Sequence, residues 1–292
     1  MHFGICGRMT DFGIQPADLA RWVEAQGFES LWFGEHTHAP DPDRSGLRDP
    51  EAMDQLYDPY IVLAAAATVT QTLTLGVSVS LLPLHHPISY AKTLATLDRI
   101  CGGRFILGVG AGVIVREVED FGIPFGDRWK VLREHLSAIR SIWANDVAEF
   151  EGQFVRFGPL RSWPKPHRPS GPPVLEGAFS TFTARRIAEY GDGWIAWDGI
   201  APEKIEQIID QIRQETIRAG RNVRDLDLTI VIRAPIEAAD AHERIRHLCA
   251  IGFGRVVFLM SPNEPKLQWE ELAWFKALMS EYATQGGDVN AV

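Results

Sequence analysis

Apolar positions along the chain follow two alternating rhythms. Short runs such as HFGIC (2–6), SLWFG (30–34) and RFILGVGAG (104–112) are each followed by a longer stretch whose apolar residues recur every three or four positions. The first pattern predicts buried strands and the second amphipathic helices. PADLARWVEAQG, after the first run, opens with Pro16 and stops at Gly27, the usual asymmetry of helix ends. DPYIVLAAAATVT, after the second, carries small residues that let a helix lie close on a sheet. LTLGVSVSLLP (73–83) pairs with PISYAKTLATLDRICGG, and RFILGVGAG with DRWKVLREHLSAIRSIWA. The later units are PPVLEGAF with STFTARRIAEYG, GWIAWDG with PEKIEQIIDQIRQETIRAG, LDLTIVIRAP with AHERIRHLCAIG, and RVVFLM (255–260) with WEELAWFKALMSEY.

Eight strand–helix units in 292 residues match the size and count of an α/β (β/α)8 TIM barrel, whereas a doubly wound open sheet usually stops at fewer strands. One segment breaks the rhythm. Residues 144–172 alternate around FEGQFVRF and then become proline-rich, which predicts a hairpin inserted between the fourth and fifth strands. With no repeat, low-complexity tract or linker, residues 1–292 are expected to form a single barrel domain.

Composition narrows the partners. A formal charge of −9 argues against a nucleic-acid or anionic-membrane surface, since both need a basic face. Cys6, Cys101 and Cys249 are odd in number and far apart, which gives neither a disulfide framework nor a metal spacing and suggests reduced thiols. The N-terminal stretch lacks a basic segment followed by a long apolar one, and no run reaches the ~18 apolar residues of a membrane span. A cytoplasmic protein acting on a small molecule is the expectation, with a homodimer admitted.

In such a barrel, function collects at the C-terminal ends of the strands. Those ends carry Cys6 and Gly7, Glu35 and His36, Ser78 to Pro83, Gly110 to Val113, Gly177 to Ser180, Trp197 and Asp198, Arg233, and Ser261. His36 and His38, with His85 and His86 as added ligands, suggest a metal-dependent hydrolase. Such a site needs further ligands at other strand ends, however, and EGAF, WDG and MSP contain no histidine, so this reading falls behind. LGVGAG (107–112) and EGAFST (176–181) would let a flat ligand or a phosphate approach the main chain, or would merely turn it. Ser180 and Thr181 stand where a helix N-terminus could cradle a phosphate. The third strand runs on past the length it needs, which predicts a bulge.

LWFGEH, DPYIVLAAAAT, LTLGVSVSLLPLHHPISYAKTLATLDRICGGRFILGVGAG, FEGQFVRF, PKP and EYGDGW, in this order, resemble the bacterial luciferase-like monooxygenase superfamily, and within it the oxidoreductases dependent on coenzyme F420. The likeness spans nearly the whole chain and is densest over residues 59–112. It implies a barrel with an insertion after the fourth strand that binds F420 or, alternatively, FMN at its C-terminal mouth. By the same likeness, His36 is the catalytic histidine beside the reactive ring carbon, with Glu35 just before it. Ser78 and Val79 fall where members of the superfamily carry a non-prolyl cis peptide behind the ring. Ala111 and Gly112 fall at the ring edge, and Gly177, Ala178, Phe179 and Ser180 near the ribityl phosphate. Apart from the likeness, Cys6, one position from the mouth, is placed among the cofactor-binding residues and read as a small buried filler rather than a nucleophile.

Val113 departs from the F420-dependent sugar-phosphate dehydrogenases, which place a catalytic glutamate there; sugar-phosphate oxidation by their route is not expected. Arg116, Lys165, Arg168, Arg185 and Arg186 could meet the oligoglutamate tail of F420 at the rim, or be ordinary solvated charges. Glu35 and His36 should point in opposite directions, leaving the reaction to His36 and an orienting role to Glu35. Trp197 is a candidate for the substrate pocket. Trp32 is read as core, Trp143, Trp269 and Trp274 as packing between helices and barrel, and His85 and His86 as serving the entry of the following helix or, second, as touching the cofactor. The function expected is hydride transfer between F420 and a small organic substrate, with an FMN-dependent monooxygenase as alternative. A barrel that binds its ligand without chemistry is the third possibility.

Overall fold

A computed structural model of the chain describes residues 1–40, 51–233 and 238–284. Among them are ten strands: β1 (His2–Gly7), β2 (Ser30–Phe33), β3 (Thr74–Leu81), β4 (Phe105–Gly110), β5 (Ala148–Glu151), β6 (Arg156–Leu160), β7 (Val174–Glu176), β8 (Gly193–Trp197), β9 (Asp227–Arg233) and β10 (Arg255–Leu259). Eight of them close into a parallel barrel in the order β1-β10-β9-β8-β7-β4-β3-β2. β5 and β6 pair only with each other, antiparallel, as the hairpin the alternation around FEGQFVRF predicts. The TIM barrel is therefore the fold, with this excursion between its fourth and fifth strands.

Period-two alternation decides which side chains fill the barrel. Cys6, Trp32, Ile106, Leu175, Ile195, Val231 and Val257 form one buried interior cluster, with Val79, Trp197 and Leu259 packed against it. Beneath it, at the N-terminal end of the strands, the Arg255 guanidinium lies 2.8 Å from Glu29, 2.6 Å from Asp227 and 2.8 Å from the Thr229 hydroxyl. Burial alone would weaken the charge of Arg255, but the two carboxylates more than offset it and keep the guanidinium protonated.

The intervening helices cover the outer face with apolar stripes. In Pro202–Arg218, Ile205, Ile208, Ile209 and Ile212 are all buried. Pro16–Ala25 begins on its proline, and Gly27, at φ +81°, ends the turn. Trp32 and Trp143 are buried, and Trp22 meets Trp269 at 5.8 Å.

Three helix starts differ from the sequence pattern, the one read from Ser180 beginning at Thr183. The last helix begins at Pro265 rather than Trp269, because proline serves as well at a first turn as an apolar residue does. The helix expected from Ala241 begins at Ala238. Ala234 and Pro235, the end of the run LDLTIVIRAP, lie outside the described residues. Among the described residues no helix is long and apolar enough to cross a membrane.

Candidate active site

β2 ends at Phe33, and the next residues splay two ionisable side chains in different directions. His36 meets the short helix Val115–Glu119, which follows β4 after a turn at Gly112 with φ +86°, a left-handed conformation that favours glycine. That helix delivers Glu117, a side chain with no exposed surface. Its carboxylate accepts from His36 Nδ1 at 3.0 Å, from the Thr37 amide at 2.9 Å and from the Thr37 hydroxyl at 3.2 Å. Burial opposes the charge of Glu117, but the bonds and charge of His36 and the Thr37 donors outweigh it and hold the carboxyl below its usual range. An ionised Glu117 can only accept, so Nδ1 carries the proton and Nε2 is left for a ligand.

His38 takes a different partner. Its Nε2 lies 3.2 Å from Asp120, which Arg116 holds from the other side at 2.6 Å. The His-x-His pair is thus divided between two carboxylates of one short segment. Among the described residues no three metal-ligating side chains converge.

Glu35, buried, turns towards the end of β3. It accepts from the Leu81 amide at 2.6 Å and lies 2.7 Å from His85 Nε2. The His85 ring stacks on Tyr90 at 4.0 Å, and Tyr90 in turn meets the Ser80 hydroxyl at 2.6 Å and the Tyr60 hydroxyl. Burial, followed by neighbouring negative charge, pushes both phenols well above their usual range. Of the two histidines assigned to the helix entry, only His86 serves there, as the N-cap of Pro87–Ile100. His85 belongs to the Glu35 network instead.

β3 bends where its sequence runs long: the Ser78–Val79 peptide is cis, and the register with β4 shifts between Val77 and Ser80. The Val79 side chain enters space left by three glycines. A Cβ on Gly108 would stand 3.2 Å from it, one on Gly110 2.7 Å and one on Gly177 2.5 Å. These glycines, read from sequence either as ligand approaches or as chain turns, admit a neighbouring side chain. Ser78 lies 3.5 Å from the buried Cys6 thiol, whose pKa burial pushes up to about 11, so Cys6 is a neutral filler there.

On the far side of the mouth, the Gly177–Ser180 loop enters the helix Thr183–Tyr190. The Ser180 amide donates to the Thr183 hydroxyl at 3.0 Å, and the Phe182 amide to the Ser180 hydroxyl at 3.2 Å. Arg186 stacks on Trp129 at 3.7 Å and reaches Glu176 at 3.3 Å. Arg128 donates to the Gly112 carbonyl at 3.1 Å, and its pKa is lowered by burial and by the facing charge of Arg186. Two guanidinium groups and a helix start thus share the region between Gly112 and Ser180, a donor set suited to a phosphate. Ala111 is buried, Val113 is exposed, and Trp197 is half-buried at the end of β8.

The five cations that could meet an anionic tail at the rim do not gather there. Lys165 donates to the Asn145 carbonyl at 2.6 Å, beyond the C-terminus of Arg128–Ala144. Arg168 lines a cleft of about 550 Å³ with Asp192 and Asp227, at the N-terminal ends of β8 and β9. Both stand at the opposite end of the barrel, because the proline-rich link returns there before β7. Arg185 is exposed on the outer face beside Glu215, leaving Arg116 and Arg186 at the mouth.

Glu117, Arg128 and Glu176 escape a reading of the sequence, as do the placement of His85 against Glu35 and of Arg186 between Glu176 and Ser180. Only Glu117 has a local signal, as one of three carboxylates, with Glu119 and Asp120, in the segment that follows a glycine-rich strand end.

Known proteins resemble this chain. The profile of the luciferase-like monooxygenase family matches residues 15–284. An uncharacterised Mycobacterium tuberculosis protein is 39% identical over 202 residues, 67% of this chain and 72% of its own. An F420-dependent glucose-6-phosphate dehydrogenase of Nakamurella multipartita is 29% identical over 244 residues, 81% of this chain and 68% of its own. Among solved structures, the monooxygenase RslO1 of Streptomyces bottropensis superposes with a TM-score of 0.70 at 25% identity, over 86% of this chain and 77% of that one. With a profile match running almost from end to end, the chain belongs to the luciferase-like monooxygenase family.

Proposed function

We propose that the protein is an F420-dependent oxidoreductase acting on a small organic substrate. The observation that carries the reading is the His36–Glu117 pair at the C-terminal end of β2, where a barrel enzyme keeps its acid–base groups. The likeness to an F420-dependent dehydrogenase supports the cofactor. When bound, the deazaflavin supplies two-electron hydride chemistry.

The chain's own residues do the rest. Val79, Ala111 and Gly112 form the wall for the ring, while Ser180, Arg186 and Arg128 hold the phosphate. Glu117 keeps the proton of His36 on Nδ1, so Nε2 accepts or returns the proton at the substrate oxygen or nitrogen. Glu35 ties this loop to β3 and keeps the histidine in place. With Val113 where a second acid could stand, the proton work falls to His36 alone, and Val113 and Trp197 offer the substrate an apolar surface.

An FMN-dependent monooxygenase is the second reading: the likeness to the monooxygenase RslO1 favours the reaction, and the absence of Lys165 and Arg168 from the rim, where an oligoglutamate tail would use them, favours FMN over F420. Titration of the purified protein with F420 and with FMN decides between them. The proposal expects F420 to bind at least tenfold more tightly, a difference of about 1.4 kcal/mol. Equal or tighter binding of FMN overturns it.

A further inference from the structure

The end of β7 carries a charge that the acid–base site does not use. Glu176 has no exposed surface, and its two carboxylate oxygens are met by Arg186 Nη1 at 3.3 Å and by the Tyr190 hydroxyl at 3.1 Å. The same Nη1 lies 3.5 Å from the Ser180 hydroxyl, so one guanidinium reaches both the buried carboxylate and the loop at the mouth. Trp129, stacked on that guanidinium at 3.7 Å, limits where it can go.

We propose that Glu176 is a positioning residue for Arg186, and that the guanidinium is shared between this carboxylate and the anionic end of the ligand, so that binding carries a proton from solvent onto Glu176. The inference rests on the phosphate-binding role given above to Ser180 and Arg186. An anion seated at Ser180 draws on the charge of Arg186 and adds a negative charge near Glu176. Both effects disfavour the carboxylate, and the buried oxygen takes up a proton. The balance is already close: burial pushes the Glu176 carboxyl up to about 7, against the opposing pull of Arg186 and Tyr190. The ionisable groups facing it are Arg186 and Tyr190 of the helix Thr183–Tyr190. Behind these, on Arg128–Ala144, Arg128 faces Arg186, Arg133 pairs with Glu189, and Arg140 donates to the Tyr190 carbonyl at 2.8 Å.

Calorimetry with sodium sulfate tests this, because sulfate stays a dianion between pH 6 and 8 and cannot itself supply the proton. In buffers of differing ionisation enthalpy at pH 7, the wild-type protein takes up a fraction of a proton per sulfate. Its affinity rises from pH 8 to pH 6, by at most about tenfold per pH unit. Glu176→Gln binds sulfate with neither proton uptake nor pH dependence. Tyr190→Phe, which removes one donor and leaves the carboxyl, moves the midpoint of the pH profile upward. Sulfate binding without proton uptake in the wild type, equal uptake in Glu176→Gln, no sulfate binding at all, or binding unaffected by Arg186→Gln each overturn the proposal. Failure of the cofactor reading looks different: neither F420 nor FMN binds, while sulfate behaves as described.

Discussion

Nδ1 of His36 stands 3.0 Å from Oε2 of Glu117, a side chain without exposed surface that comes from 81 residues further along the chain. The contact joins the end of β2 to the segment after β4, across the mouth of the barrel. It fixes which ring nitrogen faces a ligand, and so makes an ordinary imidazole a directed acid–base group.

Replacing His36 with phenylalanine keeps a flat ring in place and removes both nitrogens. Affinity for the cofactor should stay within a few-fold, while turnover of any accepted substrate falls by the ~10²-fold or more that accompanies loss of a general acid or base. Full turnover by a folded His36→Phe protein takes the catalytic role from this residue.

Glu117→Gln keeps the shape and removes the charge. A carboxyl held below its usual range stabilises the folded state fully above the unfolded pKa, near 4.3, and loses that contribution as pH falls towards the folded value. The wild type should therefore exceed Glu117→Gln by about 1–3 kcal/mol from pH 8 down to about 5, a gap that closes below about 4.3. Thermal unfolding across that range measures it, and a gap that persists unchanged at pH 3.5 contradicts the assignment.

These two residues also mark how far sequence reasoning reaches. The barrel is legible because each unit repeats a strand spacing and a helix spacing, and eight repetitions leave little room for another fold. His36 is legible because it directly follows a strand. Val115–Glu119 is not, because five residues make barely more than one turn and show no periodicity. The burial of Glu117 exists only once β2 and β4 are neighbours of β3 in the closed barrel. Lys165 and Arg168 mislead for the same reason, since the direction in which a proline-rich link returns is not written in its composition.

Arg255 tests the division of labour between the two ends of the barrel. It is buried against Glu29 and Asp227 at the N-terminal ends of the strands, away from His36. Arg255→Met should cost about 3–5 kcal/mol in denaturant unfolding, because two carboxylates lose their partner, while the affinity of folded protein for its cofactor stays within a few-fold. Adding Glu29→Gln and Asp227→Asn should recover part of the loss. A stability change under about 1 kcal/mol removes Arg255 from this role.

Val79 and Gly177 decide what the glycines of the mouth are for. If Gly177 is there so that a ligand can approach the main chain, an alanine in its place harms binding whatever residue occupies position 79. The geometry argues otherwise, because the added methyl would stand 2.5 Å from Val79 Cγ1 and 3.3 Å from Ile195 Cγ2, inside the barrel wall. Gly177→Ala should then destabilise the fold by about 1–3 kcal/mol through overpacking. Val79→Ala removes the obstructing Cγ1 and on its own leaves a small cavity. The two changes should compensate, so that the double variant is more stable than the sum of the single losses by at least about 0.5 kcal/mol, the coupling expected of side chains in direct contact. Chemical denaturation of the four proteins closes the cycle. Additive losses would show that Gly177 is not there to make room for Val79, and would return it to the ligand.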